Sequence, residues 1–587
     1  MKHVYIKNMI KDISKSRAFA LRYFRLIFIT LAMIPLQFGC DYLEYNELDQ
    51  YDKEDIFYEN GRVKSVLTNV YSYLPDDFSS VDGAMRSSAS DDAVHEWDLS
   101  DIQKFNDGSW NPTFTLDENW NTMYSGIRAA NVFLKEAAGQ TFEDIKYNDN
   151  YQELMRAFAI YPYEARFLRA FFYFELVKRY KNIPLITTIL SQEEANAVEP
   201  SSFDEVIDFI VSECDAAEKV LKKEYATFIS LETGRATKGA ALALKSKALL
   251  YAASPLFNET NDVNKWIDAA KAAKNVIDTL GYLYMPLPTY ANVVNNLSSK
   301  EMIFERRPNN TVRTFEEANT AVGFIGGNTG TCPTQNLVDA YEVKVNGTTA
   351  IPFDWSNPDH AANPYNPAGT QGRDPRLAAT VIYNGTTWRT WPVEIFFGGL
   401  NAPPKAHATK TGYYLRKYLV ESINLDPVNP STQYHYWILF RYAEILLNYA
   451  EAMNEAYGPE GVGPSPLTGM TALQAVNTIR ARTGVAMPAF PAGMTKDDFR
   501  TRLRNERRVE LAFEDHRFWD IRRWKIGSST TAIRGVTVEK DGSVLTYTPK
   551  LVETRVWNDN MNLYPIPQTE LFINKNLVQN PGWGGGN

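Results

Sequence analysis

Little in this chain supports covalent chemistry. Three cysteines and six histidines are spread over 587 residues. There are no CxxC pairs, no HExxH helix and no GxSxG elbow, so zinc, redox and serine-hydrolase sites lack their usual ligands and nucleophiles. His95, in the run HEWDL, has no second histidine one turn on. The glycine run at 323–330 (GFIGGNTG) departs from GxGxxG and follows no clear strand, which argues against a nucleotide loop. No Gly/Ser- or Pro-rich linker divides the sequence, so one large body is expected rather than several separate domains. Positive charge is short as well: the net charge is −9, a poor match for nucleic acid. Carboxylates are abundant, and a glycosidase needs only two at a suitable separation, so that chemistry stays open by counting alone.

What the chain does have is apolar and aromatic mass, 44% and 13% of its residues. That is enough for a substantial core, with rings to spare for a surface. The first 39 residues read as a leader. Lys2, Lys7, Lys11, Lys15, Arg17, Arg22 and Arg25 precede an apolar run at 26–36 that is short for a membrane span. Cys40 follows Gly39 as in a lipoprotein signal, although Leu36 lies four positions before it where three is usual. Lipidation of Cys40 is expected, and several acyl chains on one cysteine make a stable anchor. Removing the leader, with its seven basic residues and one acid, takes the net charge to about −15. Cys214 lies on the apolar stripe Val206, Ile210, Cys214, Ala217, Leu221, which predicts a packed thiol rather than a disulfide with Cys332.

Helical periodicity recurs in pairs at about 117–138, 156–181, 202–223, 235–254 and 264–280, and again at 435–456, 471–483 and 496–525. The segment 164–186, EARFLRAFFYFELVKRYKNIPLI, carries two stripes. Ala165, Leu168, Phe172 and Leu176 form one; Phe167, Phe171, Phe174 and Val177 form the other. A helix apolar on two faces is sandwiched between others. Equivalent positions near Ala165, Phe203 and Ala241 recur roughly every 38 residues, close to the tetratricopeptide period. The predicted fold is mainly α: tetratricopeptide-like pairs in a right-handed superhelical scaffold, completed by distant parts of the chain. Runs at 379–383 and 544–547 suggest small β-hairpins. Between the helices, 76–116 and 282–434 are rich in Gly, Pro, Asn, Asp and aromatics, the mark of long ordered loops with a function.

The segment 164–186 resembles the signature of the SusD/RagB family of surface glycan-binding lipoproteins, with Lys181-Asn182 where that family usually has a Gly-containing turn. Further blocks follow in the family's order: WNTMYSGIRAANVFL at 120–134, GRATKGAALALKSKALLYAASPLF at 234–257, PTQNLVDAYE from 333, RDPRL from 373 and TKTGYYLRKYL from 409. WILFRYAEILLNYAEAMNE from 437, AVNTIRARTG from 475, RNERRVELAFEDHRFWDIRRW at 504–524 and YPIPQTELFINKNLVQNPGW ending at 583 complete the set. The resemblance divides the chain into a signal peptide (1–39), an N-terminal region (40–300) and a C-terminal region (301–587). It implies a surface-exposed outer-membrane lipoprotein, tethered through an acidic segment (Asp41, Glu44, Glu47, Asp49), that captures oligosaccharide without catalysis. Its implied partner is a TonB-dependent transporter of the SusC type, which it would cover as a lid. Peptide or glycopeptide capture, as in the RagB branch, is the nearest alternative; a glycoside hydrolase and a purely structural helical scaffold are more distant ones.

A sugar offers apolar C–H faces and a rim of hydroxyls, so its site needs flat rings flanked by fixed donors and acceptors. The first loop supplies Arg86, Asp91, Asp92, His95, Trp97, Trp110 and Asn111; the second supplies Tyr290, Phe324 and Trp355. Trp388 and Trp391, beside Arg389, fit a packed hairpin better than a groove. The Asp-rich first loop offers oxygens for calcium but lacks EF-hand spacing, and no other cofactor is expected. In 504–524 the signs of Glu506, Arg507, Glu510, Glu514, Asp515, Arg517 and Asp520 alternate at helical spacing. Together with Arg373, Asp374 and Arg376 they read as a structural ion-pair network.

Overall fold

Both stripes of 164–186 are buried, every one of their eight residues at most 3% exposed. In this computed structural model, residues 53–225, 234–296, 299–308 and 310–584 are described. The leader, Cys40 and the acids at 41–49 lie outside them. Two compact units are present. The first holds residues 53–63 and 142–146, with the helix Lys53–Tyr58 and the turn Glu143–Ile145. The second holds everything discussed below.

Its long helices are α1 (Trp120–Glu136), α2 (Tyr161–Tyr180), α3 (Phe203–Ala217), α4 (Lys238–Ala253), α5 (Val263–Leu280), α6 (Tyr442–Tyr457), α7 (Ala472–Arg480), α8 (Lys496–Glu510) and α9 (Arg517–Arg523). The starts of several are set by capping side chains. Ser202 and Glu205 form a reciprocal box at α3, and Thr471 and Gln474 do so at α7; Thr237, Asp262 and Thr495 cap α4, α5 and α8. α2 ends on Lys181 at φ 65°, so a lysine takes the positive-φ position that a glycine would fill without strain. Packing follows chain order, α1 on α2, α2 on α3, α3 on α4 and α4 on α5. Then α5 packs on α6, more than 160 residues further on, and α6 on α7 and α8. The stripe Ala241, Leu244, Ala248 on α4 is fully buried, and its two alanines let neighbouring helices approach closely. This is the tetratricopeptide-like helical fold. Cys214 and Cys332 are both buried and unpaired, and burial pushes both thiols up.

Three expectations need correction. The pattern at 435–456 begins with a strand, Trp437–Arg441, because that segment pairs antiparallel with Met302–Arg306; Leu439 therefore lies outside the helix. The pattern at 496–525 is two helices, broken where Phe513 and Asp515 adopt φ 60° and 58°. The run at 379–383 makes no local hairpin. Residues Arg376–Thr380 are helical, and Val381–Ile382 pairs with the distant Tyr414–Leu415. The run at 544–547 does open a strand, Val544–Thr554, which forms a long hairpin with Ala532–Asp541.

The charged segment 504–524 forms the predicted network, largely inside the protein. Arg441 sits at its centre, 2.5 Å from Glu301, 2.8 Å from Glu510 and 2.6 Å from Glu514. Arg376 bridges Asp374, Glu506 and Glu510, and Arg480 bridges Glu506 and Glu342. Arg507 and Arg523 share Asp520, and Arg523 continues to Glu451. Burial pushes the carboxyls of Glu451, Glu506, Glu510, Glu514 and Asp520 up, but the facing guanidinium groups outweigh it and hold these five below the usual range. Burial also pushes the Glu175 carboxyl up, but Lys178 and Arg179 beside it outweigh that and hold it at about 2. A carboxyl depressed in the folded state stabilises fully above its unfolded pKa, near 4, and loses that contribution as pH falls through the folded value. Asp77 and Glu96, raised by burial to about 8 and about 7, act in the opposite sense, as do Asp92, Glu118, Glu305, Asp339 and Glu570, also raised by burial. The carboxyls held down by arginine and lysine, Asp91 and Asp117 among them, outnumber these. The melting temperature should therefore drop steeply from about pH 4.5 toward pH 2; a thermal melt at pH 3 equal to that at pH 7 would contradict this.

Candidate functional site

Burial removes most of the sequence candidates from contact with a ligand. Arg86 is buried, with its guanidinium on Asp117 at 2.8 and 2.9 Å and on Asp515 at 3.1 Å. Asp91 receives two hydrogen bonds from Arg517, at 2.8 and 2.9 Å, and Asp92 one from Arg508 at 2.6 Å. These acids anchor the first loop to α8 and α9: both oxygens of Asp91 and one of Asp92 are held by arginine, while Asp92 Oδ2 has no hydrogen-bond partner among the described residues. Among the described residues no group of three His, Cys, Asp or Glu is placed to hold a metal ion. His95 lies in β1 (Ala93–His95), which pairs with Thr331–Pro333 and ties the two loop regions together. Burial pulls its imidazole down to about 4, so it is neutral at ordinary pH.

Trp110 is 2% exposed, its ring between Phe105, Tyr564 and Trp583 at 4.7, 5.2 and 4.5 Å between centroids. Asn111 spends its side-chain oxygen on the backbone N–H of Thr113, at 2.9 Å, closing a tight turn. Tyr290 is buried; it accepts from Lys417 at 2.7 Å and donates to the carbonyl of Glu510 at 2.8 Å. Phe324 is half-buried against a small satellite core of Trp388, Val393, Ile395 and Tyr414. Trp355 is half-buried, its indole N–H on Asp339 at 3.2 Å and its ring edge-on to Phe353. Trp388 and Trp391 do face each other across a hairpin, the first buried and the second 65% exposed.

Trp97 is different. Its ring is 38% exposed. The indole N–H donates to the carbonyl of Asn328 at 3.1 Å, and His407 stacks on one face at 3.9 Å with 20° between the planes. The flanking backbone is equally fixed, since the Glu96 N–H donates to Gly330 and Gln103 donates to the carbonyls of His95 and Trp97. Lys410 bridges the carbonyl of Glu96, at 2.8 Å, and the carboxylate of Asp98, at 2.5 Å. Burial raises the Glu96 carboxyl to about 7 although Lys410 opposes it. The result is a flat ring, immobilised by its own N–H and covered on one face by the His407 imidazole, with a carboxylate, an ammonium and amide groups nearby. Asn328, His407 and Lys410 escaped the sequence reading. Each meets residues 96–98 only after more than 230 residues of chain, and no local pattern marks them.

A helical-repeat scaffold that carries such a ring and polar rim on loops has the architecture of a binding protein. The comparisons with known proteins make the class specific. The sequence profile of the SusD family matches residues 299–583, and that described as starch-binding associating with outer membrane matches residues 41–250. A SusD-like protein of Bacteroides fragilis superposes with a TM-score of 0.73 at 29% identity, over 91% of this chain and 98% of its own. A SusD-like carbohydrate binding protein of the same species superposes at 0.69 and 26% identity, over 89% and 100%. A SusD-like protein of Formosa agariphila is 24% identical over 581 residues, covering 95% of this chain and 99% of its own. The chain belongs to the SusD family, a family of carbohydrate-binding proteins.

Proposed function

We propose that this protein is a surface glycan-binding lipoprotein of the outer membrane, anchored through Cys40, which captures oligosaccharide without cleaving it and passes it to a TonB-dependent transporter of the SusC type. The observation that carries the reading is Trp97: an exposed, orientation-locked indole with a mixed polar rim, on a scaffold whose relatives include a carbohydrate binding protein. Stacking supplies affinity for a pyranose face, and the rim supplies selectivity among hydroxyl patterns. Delivery requires only that the ligand make additional contacts when the protein closes over the transporter, which biases that equilibrium.

The test is glycan binding by Trp97→Ala. By analogy with ring stacking on bases, affinity for the best ligand of an array should fall by about 1–3 kcal/mol, with no change in melting temperature because the ring is exposed and outside the core. Unchanged affinity would remove Trp97 from the site; if the wild type bound no glycan at all, the reading itself would fail. The anchor is tested separately. Cys40→Ala should abolish fatty-acyl labelling and release the protein from the membrane fraction, whereas unchanged labelling would show that Cys40 is not the modified residue.

A further inference from the structure

A second pair of rings lies on the segment that leads into the strand Trp437–Arg441. From Tyr434 to Trp437 the side chains alternate between the outside and the interior, as on a strand. His435 and Trp437 point inward. His435 is buried with Nε2 3.1 Å from Glu316 and its ring against Phe78 and Phe315, and Trp437 stacks on Tyr418. Tyr434 and Tyr436 face the other way, their planes 19° apart and their centroids 6.2 Å apart. Tyr434 is 41% exposed and Tyr436 half-buried, with the Arg307 guanidinium 5.9 Å from the Tyr436 ring. The backbone beneath them cannot drift, because Val312 and Gln433 exchange both hydrogen bonds, at 2.9 and 3.0 Å, and Thr432 donates to Thr311 at 2.7 Å. Among the described residues neither phenolic oxygen has a hydrogen-bond partner.

Two near-parallel rings, already ordered, lose little conformational freedom when a ligand stacks on them. Their phenolic oxygens stay available to sugar hydroxyls. The core gains little from Tyr434. We propose that Tyr434 and Tyr436 form a second sugar-stacking subsite, which takes pyranose faces of a polysaccharide chain. It rests on the reading of this protein as a glycan binder and adds the expectation that the natural ligand is a chain rather than a mono- or disaccharide. The two surfaces are connected through one short helix, Thr314–Asn319. Asn328, which holds Trp97, donates to the carbonyl of Glu317 in that helix, and Val312, which holds Gln433, lies just before it. Two linked subsites bind a long chain far better than either binds a short one.

Affinity electrophoresis in gels containing soluble starch, laminarin or xyloglucan, followed by titration with oligosaccharides of the retarding polymer, tests the proposal. Tyr434→Ala should weaken binding of the polymer roughly five- to 150-fold with an unchanged melting temperature, and should leave the shortest oligosaccharides bound as in the wild type. Tyr434→Phe, which keeps the ring, should stay near wild type. Trp97→Ala should retain weak retardation that Trp97→Ala/Tyr434→Ala lacks. Wild-type retardation by the polymer in Tyr434→Ala, or a lowered melting temperature with normal affinity, overturns the subsite while leaving the glycan reading intact. If neither a polymer of the panel nor any glycan of the array binds the wild type, the glycan reading fails and this proposal with it.

Discussion

Replacing Arg441 with alanine is expected to cost about 3–5 kcal/mol of folding stability. The side chain is fully buried and holds three carboxylates at once, those of Glu301, Glu510 and Glu514, besides donating to the Glu510 carbonyl at 2.7 Å. Its removal leaves those acids facing one another without a counter-charge, and they lie out of reach of bulk water. Arg482 and Lys417 remain beside them, so the loss is partial rather than total. Chemical denaturation of the variant should show a lowered midpoint with a similar slope. Arg441→Met should do no better than alanine, because restoring volume does not restore charge. A loss below 1 kcal/mol in either variant would show that the network contributes specificity and not stability. The position also matters for the loops. Glu301 and Arg441 come from the two sides of the strand pair that closes the helical body, and Arg376 of the second loop region reaches the same Glu510. The network is thus what fastens the site-bearing loops to the helices.

The legible part of this fold was local. The two stripes of α2, the Cys214 stripe and the alternating signs at 504–524 each report a neighbourhood within one helix, and periodicity captures that directly. The boundaries that failed were set from outside the segment: Trp437–Arg441 is a strand because Met302–Arg306 lies beside it, not because of its own pattern. The site was legible only as a region. Asp91 and Asp92 look like sugar contacts until Arg508 and Arg517, more than 400 residues on, are placed beside them. Trp97 and Trp110 sit in similar polar surroundings in the sequence, thirteen residues apart. What separates them is the company each keeps in space, His407 and a loop carbonyl for one, Tyr564 and Trp583 for the other. Long-range pairing of this kind leaves no trace in a single sequence.

Those two tryptophans therefore supply the sharpest contrast. Trp110→Ala should lower stability by about 3–5 kcal/mol and leave glycan affinity unchanged, the reverse of Trp97→Ala. The indole of Trp110 is surrounded by three aromatic rings and packs the first loop against the last turn of the chain through Trp583. Truncation opens a cavity that rigid rings cannot collapse into, so both lost burial and lost packing count. Its N–H makes no hydrogen bond within the described residues, so Trp110→Phe should lose only the volume difference and fall between wild type and alanine. Loosening this cluster should also free the segment around Trp583, which packs on Trp110. Limited proteolysis of Trp110→Ala should cut near Trp583 faster than in the wild type. Melting curves and glycan titrations on the same preparations decide the matter: weakened binding at normal stability for Trp110→Ala would return this ring to the ligand surface and require the loops around it to open in solution.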